Sequence, residues 1–427
     1  MYQQTLLIAK AESVNISFFK NFDDEYLTCY IVKALENNHS LKAANKKVEQ
    51  YRYEIRNAFS KELPELSVSS NYLGAHFPKG DGNFLLKQNS YVLPFRASFE
   101  PDLLLKNKDK ISSTKKLYKA QLANERSTYI SLLSDVATAY INLLLSDYLI
   151  KKQEKIISDK KESLKLSNKK LKFGVIELID FNKEEEKIKN EEIILDNLLK
   201  SRKTTLYNLC ALVGESANNF DEIKRSKLED FEYRNKIPNE ISSDLIYQRP
   251  DLIEIENKLK SAKIDVTVAK KDFFPSFNIT GYLVFDTAGR GNFFSWESSF
   301  AFLLAGLTQD IFTGGKKLAN LKIKKARYEE LFEEYKQADL NAIKEINNAL
   351  NLIKYDNLVE EKSKKKLTLE KINYKKTTKK LLQGTISKID FISDKNSLNQ
   401  KEELLAISKA NRLINYITLY KALGGEL

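Results

Sequence analysis

Histidine occurs twice in this chain of 427 residues, at 39 and 76, and cysteine twice, at 29 and 210. Neither histidine sits among other possible ligands. The cysteines form no C-x-x-C motif and no zinc spacing, and both are expected half-buried on helices. Metal centres, cofactor ligation and Ser-His-Asp catalysis therefore have almost no raw material, and no enzyme is expected. Glycine (14) and proline (7) are also scarce, which argues against a chain made of many short strands and turns and favours long helices. No apolar run reaches the roughly 18 residues of a membrane-spanning helix. Met1–Ser13 offers only Leu6-Leu7-Ile8-Ala9 as an apolar stretch, shorter than the core of a secretory signal. Read alone, that points to the cytosol, and an exported protein would need its reading frame to start upstream of Met1.

Charge is abundant. Lys and Arg number 70 against 58 Asp and Glu, a formal net charge of +12. The lysines are spread along the whole chain rather than gathered on one segment with interleaved aromatics, so nucleic acid is not an expected partner and solvated helix faces are.

The chain is written twice. Leu171-Lys-Phe-Gly174-Val-Ile-Glu-Leu-Ile-Asp180-Phe181 recurs as Leu381-Leu-Gln-Gly384-Thr-Ile-Ser-Lys-Ile-Asp390-Phe391. Asp102 pairs with Asp310, Pro64 with Pro275, Gly82-Asn83-Phe84 with Gly291-Asn292-Phe293, and Gly214-Glu215 with Gly425-Glu426. Residues 102–173 and 316–383 contain neither Gly nor Pro, and the same holds for 175–213 and 385–423. A helix of about 70 residues extends roughly 100 Å, longer than an ordinary domain. Tyr129, Leu133, Val136, Tyr140 and Leu143 follow coiled-coil spacing, and the last four return as Ile343, Ile346, Leu350 and Ile353. The expected boundaries are an N-terminal segment 1–29, a first repeat 30–213, a linker 214–250 and a second repeat 251–427.

Between its helices each repeat carries alternating text. Strands are expected at about 66–77, 90–100, 276–286 and 298–309. Ten residues is the length that crosses a bilayer at barrel tilt. Trp296, the only tryptophan, lies beside Phe293 and Phe294, where an interfacial aromatic is expected. Four strands cannot close a barrel, and open edges are not viable in lipid. If the hairpins span a membrane, identical chains must pool them, and a conducting lumen needs more than eight strands. Two rival readings are a cytosolic coiled-coil scaffold without membrane insertion and a lipid- or polyanion-binding protein driven by the +12 charge.

Arg249-Pro250-Asp251-Leu252, Ala269-Lys-Lys-Asp-Phe-Phe-Pro275-Ser-Phe277, Gly306-Leu307 and Asp310-Ile-Phe-Thr-Gly314-Gly315-Lys316, with Leu419-Tyr-Lys-Ala-Leu-Gly-Gly425, together resemble TolC-like outer-membrane efflux proteins. Within that family the resemblance is to the NodT-type lipoprotein branch. It implies a mainly α fold with a small membrane β contribution: a homotrimer closing a twelve-stranded β-barrel, embedded in outer-membrane lipid, on an α-helical barrel in the periplasm. It also implies a passive conduit for efflux or secretion, partnered by a periplasmic adaptor and an inner-membrane pump. The adaptor-docking tips would be 170–176 and 380–386, with Lys170, Gly174, Val175, Lys380, Gly384 and Thr385. The gate or selectivity positions would be Asp180, Asp390, Leu381, Ile386 and Ser393. Leu381 and Ile386 stand where better-described members carry Tyr and Arg, and Ser393 replaces a second pore aspartate, so an apolar closure is expected. No lipobox cysteine is recognised, since Cys29 falls inside the first helix, expected from Phe22 to Leu41.

Overall fold

The computed structural model describes residues 15–74, 89–216, 224–235, 243–286 and 292–426. Met1–Ser13, His76, the end of the first expected strand (75–77), the turn at 78–83, Phe84, Gly291 and much of the expected linker lie outside them. The elements in chain order are α1 (Ser17–Lys20), α2 (Glu25–Asn37), α3 (His39–Ser60), β1 (Glu65–Val68), β2 (Asn71–Gly74), β3 (Asn89–Phe99), α4 (Lys106–Lys172), α5 (Leu178–Val213), α6 (Pro250–Lys271), β4 (Ser276–Asp286), β5 (Ser299–Thr308), α7 (Lys316–Leu382) and α8 (Lys388–Ala422). The breaker-free runs become helices almost residue for residue, and α4 and α7 are both 67 residues long. The expected first helix is broken in two. Asn38 leaves the helical region at ψ 122°, and its side chain accepts from Leu41 N at 3.0 Å, capping α3. Duplication extends to the backbone: Leu105 before α4 and Gly314 before α7 share φ values of +56° and +57°.

One unit comprises Met1–Asn45, Ala123–Ile253 and Ala338–Leu427. Its core is the expected seam: Tyr129, Leu133, Val136, Tyr140 and Leu143 are at most 2% exposed, packed with Leu209, Val213, Leu413, Ile417 and Tyr420. Full burial of each such side chain contributes about 1.5–3 kcal/mol. Phe18 of α1 stacks on Tyr420 at 4.5 Å, closing the cluster from the N-terminal side. The second copy of the seam is less completely covered: Ile346 and Ile353 are buried, Leu350 is half-buried and Ile343 is 40% exposed. An 18-residue stretch of α4 is long and apolar enough to cross a membrane by composition, yet 67% of it is buried inside the protein, so its apolarity serves this core. Cys210 is buried in the core and Cys29 is exposed on α2, not half-buried as expected.

The other unit comprises Lys46–Leu122 and Glu254–Gln337 and holds the sheet. The strand order is β1-β3-β4-β5, with β2 also pairing β3, and every pairing is antiparallel. β1 and β2 are one interrupted strand along the same edge of β3, so the sheet has four strands in effect. The central β3–β4 pairing joins one hairpin of each repeat. In the same unit, the buried Ser113 of α4 donates to Asp265 Oδ1 of α6 at 2.6 Å, and Lys324 of α7 meets the other oxygen at 3.3 Å.

Candidate functional site

The sheet is two-faced in a way that only the register reveals. Because side chains alternate, pairing Leu66 with Ala97, Phe95 with Leu283 and Gly281 with Leu303 puts these residues on one face. That face also carries Val68, Tyr91, Leu93, Phe99, Phe277, Ile279, Phe285 and Leu307, and no charge. The opposite face carries the charged residues of the strands: Glu65, Arg96 and Asp286. Many apolar side chains of the uncharged face are open to solvent in the single chain, Leu66 at 79%, Leu303 at 70% and Leu307 at 70%. An exposed apolar face this wide marks a contact with lipid or protein. The two edges, β1–β2 and β5, have no partner strand among the described residues. Unpaired edges are a template for further strands. Successive antiparallel pairing leaves β1 and β5 running in opposite directions, so the β5 edge of one copy can meet the β1 edge of another in the same antiparallel sense.

Trp296 sits in a single 3₁₀ turn, Trp296–Ser298, immediately before β5, and is 77% exposed; Phe294 beside it is 72% exposed. At the opposite ends of the strands, Phe274, Ile311 and Phe312 are 58%, 98% and 89% exposed. Exposed bulky apolar side chains therefore flank the uncharged face at both ends, the arrangement of membrane-interface girdles.

In the helical unit the two expected tips are built alike. Each long helix ends in a Schellman motif. Val175 N donates to Lys170 O at 2.9 Å and Gly174 N to Leu171 O at 3.0 Å; Thr385 N donates to Lys380 O at 3.0 Å and Gly384 N to Leu381 O at 3.0 Å. Gly174 and Gly384 sit at φ +67° and +70°, a conformation that side-chain-bearing residues resist. Lys170, Val175, Lys380 and Thr385 are exposed around the turns, while Leu381 and Ile386, like their counterparts Leu171 and Ile176, are half-buried. Phe173, Leu178 and Ile179 are also exposed at the first tip, at 84%, 61% and 62%. Phe173 falls within the expected tip 170–176, and Leu178 and Ile179 lie just beyond it.

The acids are placed separately. Asp180 is exposed and, among the described residues, pairs locally with Lys183 at 3.6 Å. Asp390 is exposed in the first turn of α8, where the cap Ser387 donates to its Oδ2 at 2.7 Å and accepts from its N–H at 3.1 Å. This reciprocal S-x-x-D cap is legible in sequence as a capping-box variant, and the first repeat has Glu177 in place of the serine. Ser393 is exposed, and its neighbour Asp394 accepts from Thr377 of α7 at 2.7 Å. No bond among the described residues joins Asp180 to Asp390. The second tip is tied to α4 by the Lys388–Glu162 and Lys395–Asp159 ion pairs, the latter at 2.7 Å.

A titratable cluster lies further along the same helices. Glu191 of α5 is hydrogen-bonded to Lys160 at 2.7 Å and to Gln153 at 2.6 Å. Burial pushes it up, but these two donors hold it below the ordinary carboxylate value. Burial, then the nearby charge of Glu191, raises Glu403 of α8 from 4.5 to about 7. A carboxyl with a raised folded pKa stays protonated where the unfolded chain has already ionised. Its contribution therefore declines as pH rises from about 4.5 to 7 and is flat above. Glu403→Gln is expected to raise stability at pH 8 by about 1 kcal/mol and to have little effect at pH 4, read as the shift in thermal denaturation followed by circular dichroism.

Comparison with known proteins places these features together. Residues 30–215 and 241–425 match the family described as outer membrane efflux protein. The chain is 24% identical over 426 residues to the cation efflux system protein CusC of Escherichia coli K12, covering 99% of this chain and 92% of that one. It is 24% identical over 411 residues to the probable efflux pump outer membrane protein TtgC of Pseudomonas putida, covering 95% and 84%. The crystal structure of the Campylobacter jejuni CmeC outer membrane channel superposes with a TM-score of 0.86 at 22% identity, covering 96% and 88%. With both repeats matched, the chain belongs to the outer membrane efflux protein family.

Proposed function

We propose that this chain is one of three identical protomers of an outer-membrane channel, a passive duct in a tripartite efflux or secretion system. The observation that carries the reading is the uncharged, solvent-open face of a four-stranded sheet with neither edge paired among the described residues. In lipid, unpaired backbone groups cost several kcal/mol each. Three copies supply twelve strands, enough to enclose a lumen. The uncharged face meets lipid, Trp296 sits at one interface, and the charged face lines the lumen. The helices hang in the periplasm as two repeats, 30–213 and 251–427, joined by the linker 214–250. A cytosolic scaffold would have no use for so wide an apolar sheet face.

The duct itself does no chemistry, and energy comes from an inner-membrane pump through a periplasmic adaptor. The tips around Gly174 and Gly384 are the adaptor-docking surfaces, offering exposed Phe173 and Val175 beside Lys170 and Lys380. Asp390, repeated three times around the axis, forms a carboxylate ring that favours cations. Asp180, Ser393 and the apolar Leu381 and Ile386 complete the narrow end.

Purified protein in a planar bilayer tests this reading. The wild type is expected to insert and conduct. Asp390→Asn, which keeps an acceptor for Ser387, is expected to lower the cation-to-anion permeability ratio by about twofold. Unchanged selectivity would remove Asp390 from the pore, and a water-soluble monomer that never inserts would remove the channel itself.

A further inference from the structure

The lumen-side face of the sheet is not uniformly polar. Arg96 of β3 is paired in register with Ser67 of β1 on one side and Tyr282 of β4 on the other, and Tyr282 with Phe302 of β5. Ser67, Arg96, Tyr282 and Phe302 thus form a straight row across four strands, on the face opposite the lipid-directed one. Neighbouring strands are about 4.8 Å apart, so the row spans roughly 14 Å. The Tyr282 and Phe302 rings stack at 4.9 Å and 21°, and Phe300 continues the ladder at 6.2 Å and 9°. Phe300 and Phe302 remain 44% and 43% exposed.

Cross-strand stacking stabilises a sheet but does not call for a guanidinium in the same row. Arg96 is exposed, and no ion pair or hydrogen bond of its side chain is present among the described residues. A side chain with five donors in a rigid fork, beside stacked rings and left without an ion-pair partner among the described residues, is suited to a planar organic anion. The ring of such a solute would extend the ladder, and its carboxylate or sulfonate would lie against Arg96.

We propose that the Arg96–Tyr282–Phe302 row, with Phe300 beside it on β5, is a solute-binding track on the barrel wall, selective for planar aromatic anions. This rests on the barrel reading above and names a class of solute for it. Three copies would stand around the lumen. Each holds a solute weakly enough to release it, as conduction requires.

The test is single-channel recording of the full-length protein in KCl, with naphthalene-2-sulfonate or methanesulfonate added from the barrel side. Naphthalene-2-sulfonate is expected to reduce the current reversibly, and methanesulfonate at the same concentration to leave it unchanged. Arg96→Gln is expected to weaken the block about tenfold, and Phe302→Ala about fivefold. KCl conductance of each variant establishes that it has assembled, and Phe302→Leu serves where alanine does not. Equal block by the two sulfonates, or equal block of wild type and both variants, would overturn the track. A conducting wild type that naphthalene-2-sulfonate does not touch would overturn it alone. A wild type that never conducts would overturn the barrel and the track together.

Discussion

Arginine in place of Leu303 is expected to keep the protein out of the outer membrane, while arginine one residue later, in place of Leu304, is expected to be accepted. Exposure does not distinguish the two positions, which are 70% and 59% open in the single chain. The alternation of β5 does. Leu303 pairs with Gly281 on the uncharged face, and Leu304 with Thr280 on the face that carries Arg96. Leu303 lies near the middle of Ser299–Thr308, hence near the bilayer midplane, where arginine on the lipid side of a barrel costs about 2–4 kcal/mol. Three copies raise that to roughly 6–12 kcal/mol per barrel, as large as the whole stability of many proteins. Separation of inner and outer membranes, with blotting for heat-resistant oligomers, reads the result. Equal insertion of both variants would mean that the faces are wrongly assigned.

Removing the Arg249 side chain is expected to lower stability by about 2–3 kcal/mol. Arg249 is 6% exposed and is used from every side. Its Nη1 donates to Ala422 O in the last turn of α8 at 2.8 Å, Nη2 to Asp251 and Glu345 at 2.7 Å each, and Nε to Asp251 at 3.0 Å. The chain then passes so close that a Cβ on Gly424, at φ +65°, would stand 2.8 Å from Pro250 Cδ. Arg249→Ala orphans a helix-end carbonyl in a packed region. Asp251 and Glu345 are about half exposed and can rehydrate, which keeps the cost below that of a fully buried broken pair. Arg249→Lys recovers only part of the loss, because an ammonium cannot reproduce the bidentate fork. The midpoint of denaturation in detergent checks both variants. A wild-type midpoint for Arg249→Ala would show that the clasp contributes nothing.

The helices were legible because breakers were missing. A run without Gly or Pro leaves little to stop a helix, and α4 and α7 end where Gly174 and Gly384 appear. The break at Asn38 was not read, although an asparagine before a helical stretch is a capping signal. The seam transferred from one repeat to the other at Ile346 and Ile353 but not at Ile343. Periodicity names the helix face, and only the neighbouring helices decide which turns of it are covered. Strand positions were readable from alternation, their faces were not: β5 is apolar on both sides, and its phase is fixed only by pairing Phe302 with Tyr282. At the tips, the turns at Gly174 and Gly384 were implied by the family resemblance and Phe173 fell within the expected segment 170–176, whereas the Ser387–Asp390 cap was not foreseen. Arg96 was hidden because a lone charge in an alternating strand looks like an ordinary wet-face residue until its row is known.

The most direct test of the shared barrel joins the two free strand edges covalently. With Cys29 and Cys210 replaced by serine, cysteines are placed in turn at Ala301, Leu303 or Ala305 of β5 together with Leu66 of β1, all on the uncharged face, and oxidised in isolated outer membranes. A barrel closed by three chains predicts covalent dimers and trimers from at least one pair, and no larger species. Monomers at every pairing, or a ladder continuing past three chains, would contradict it.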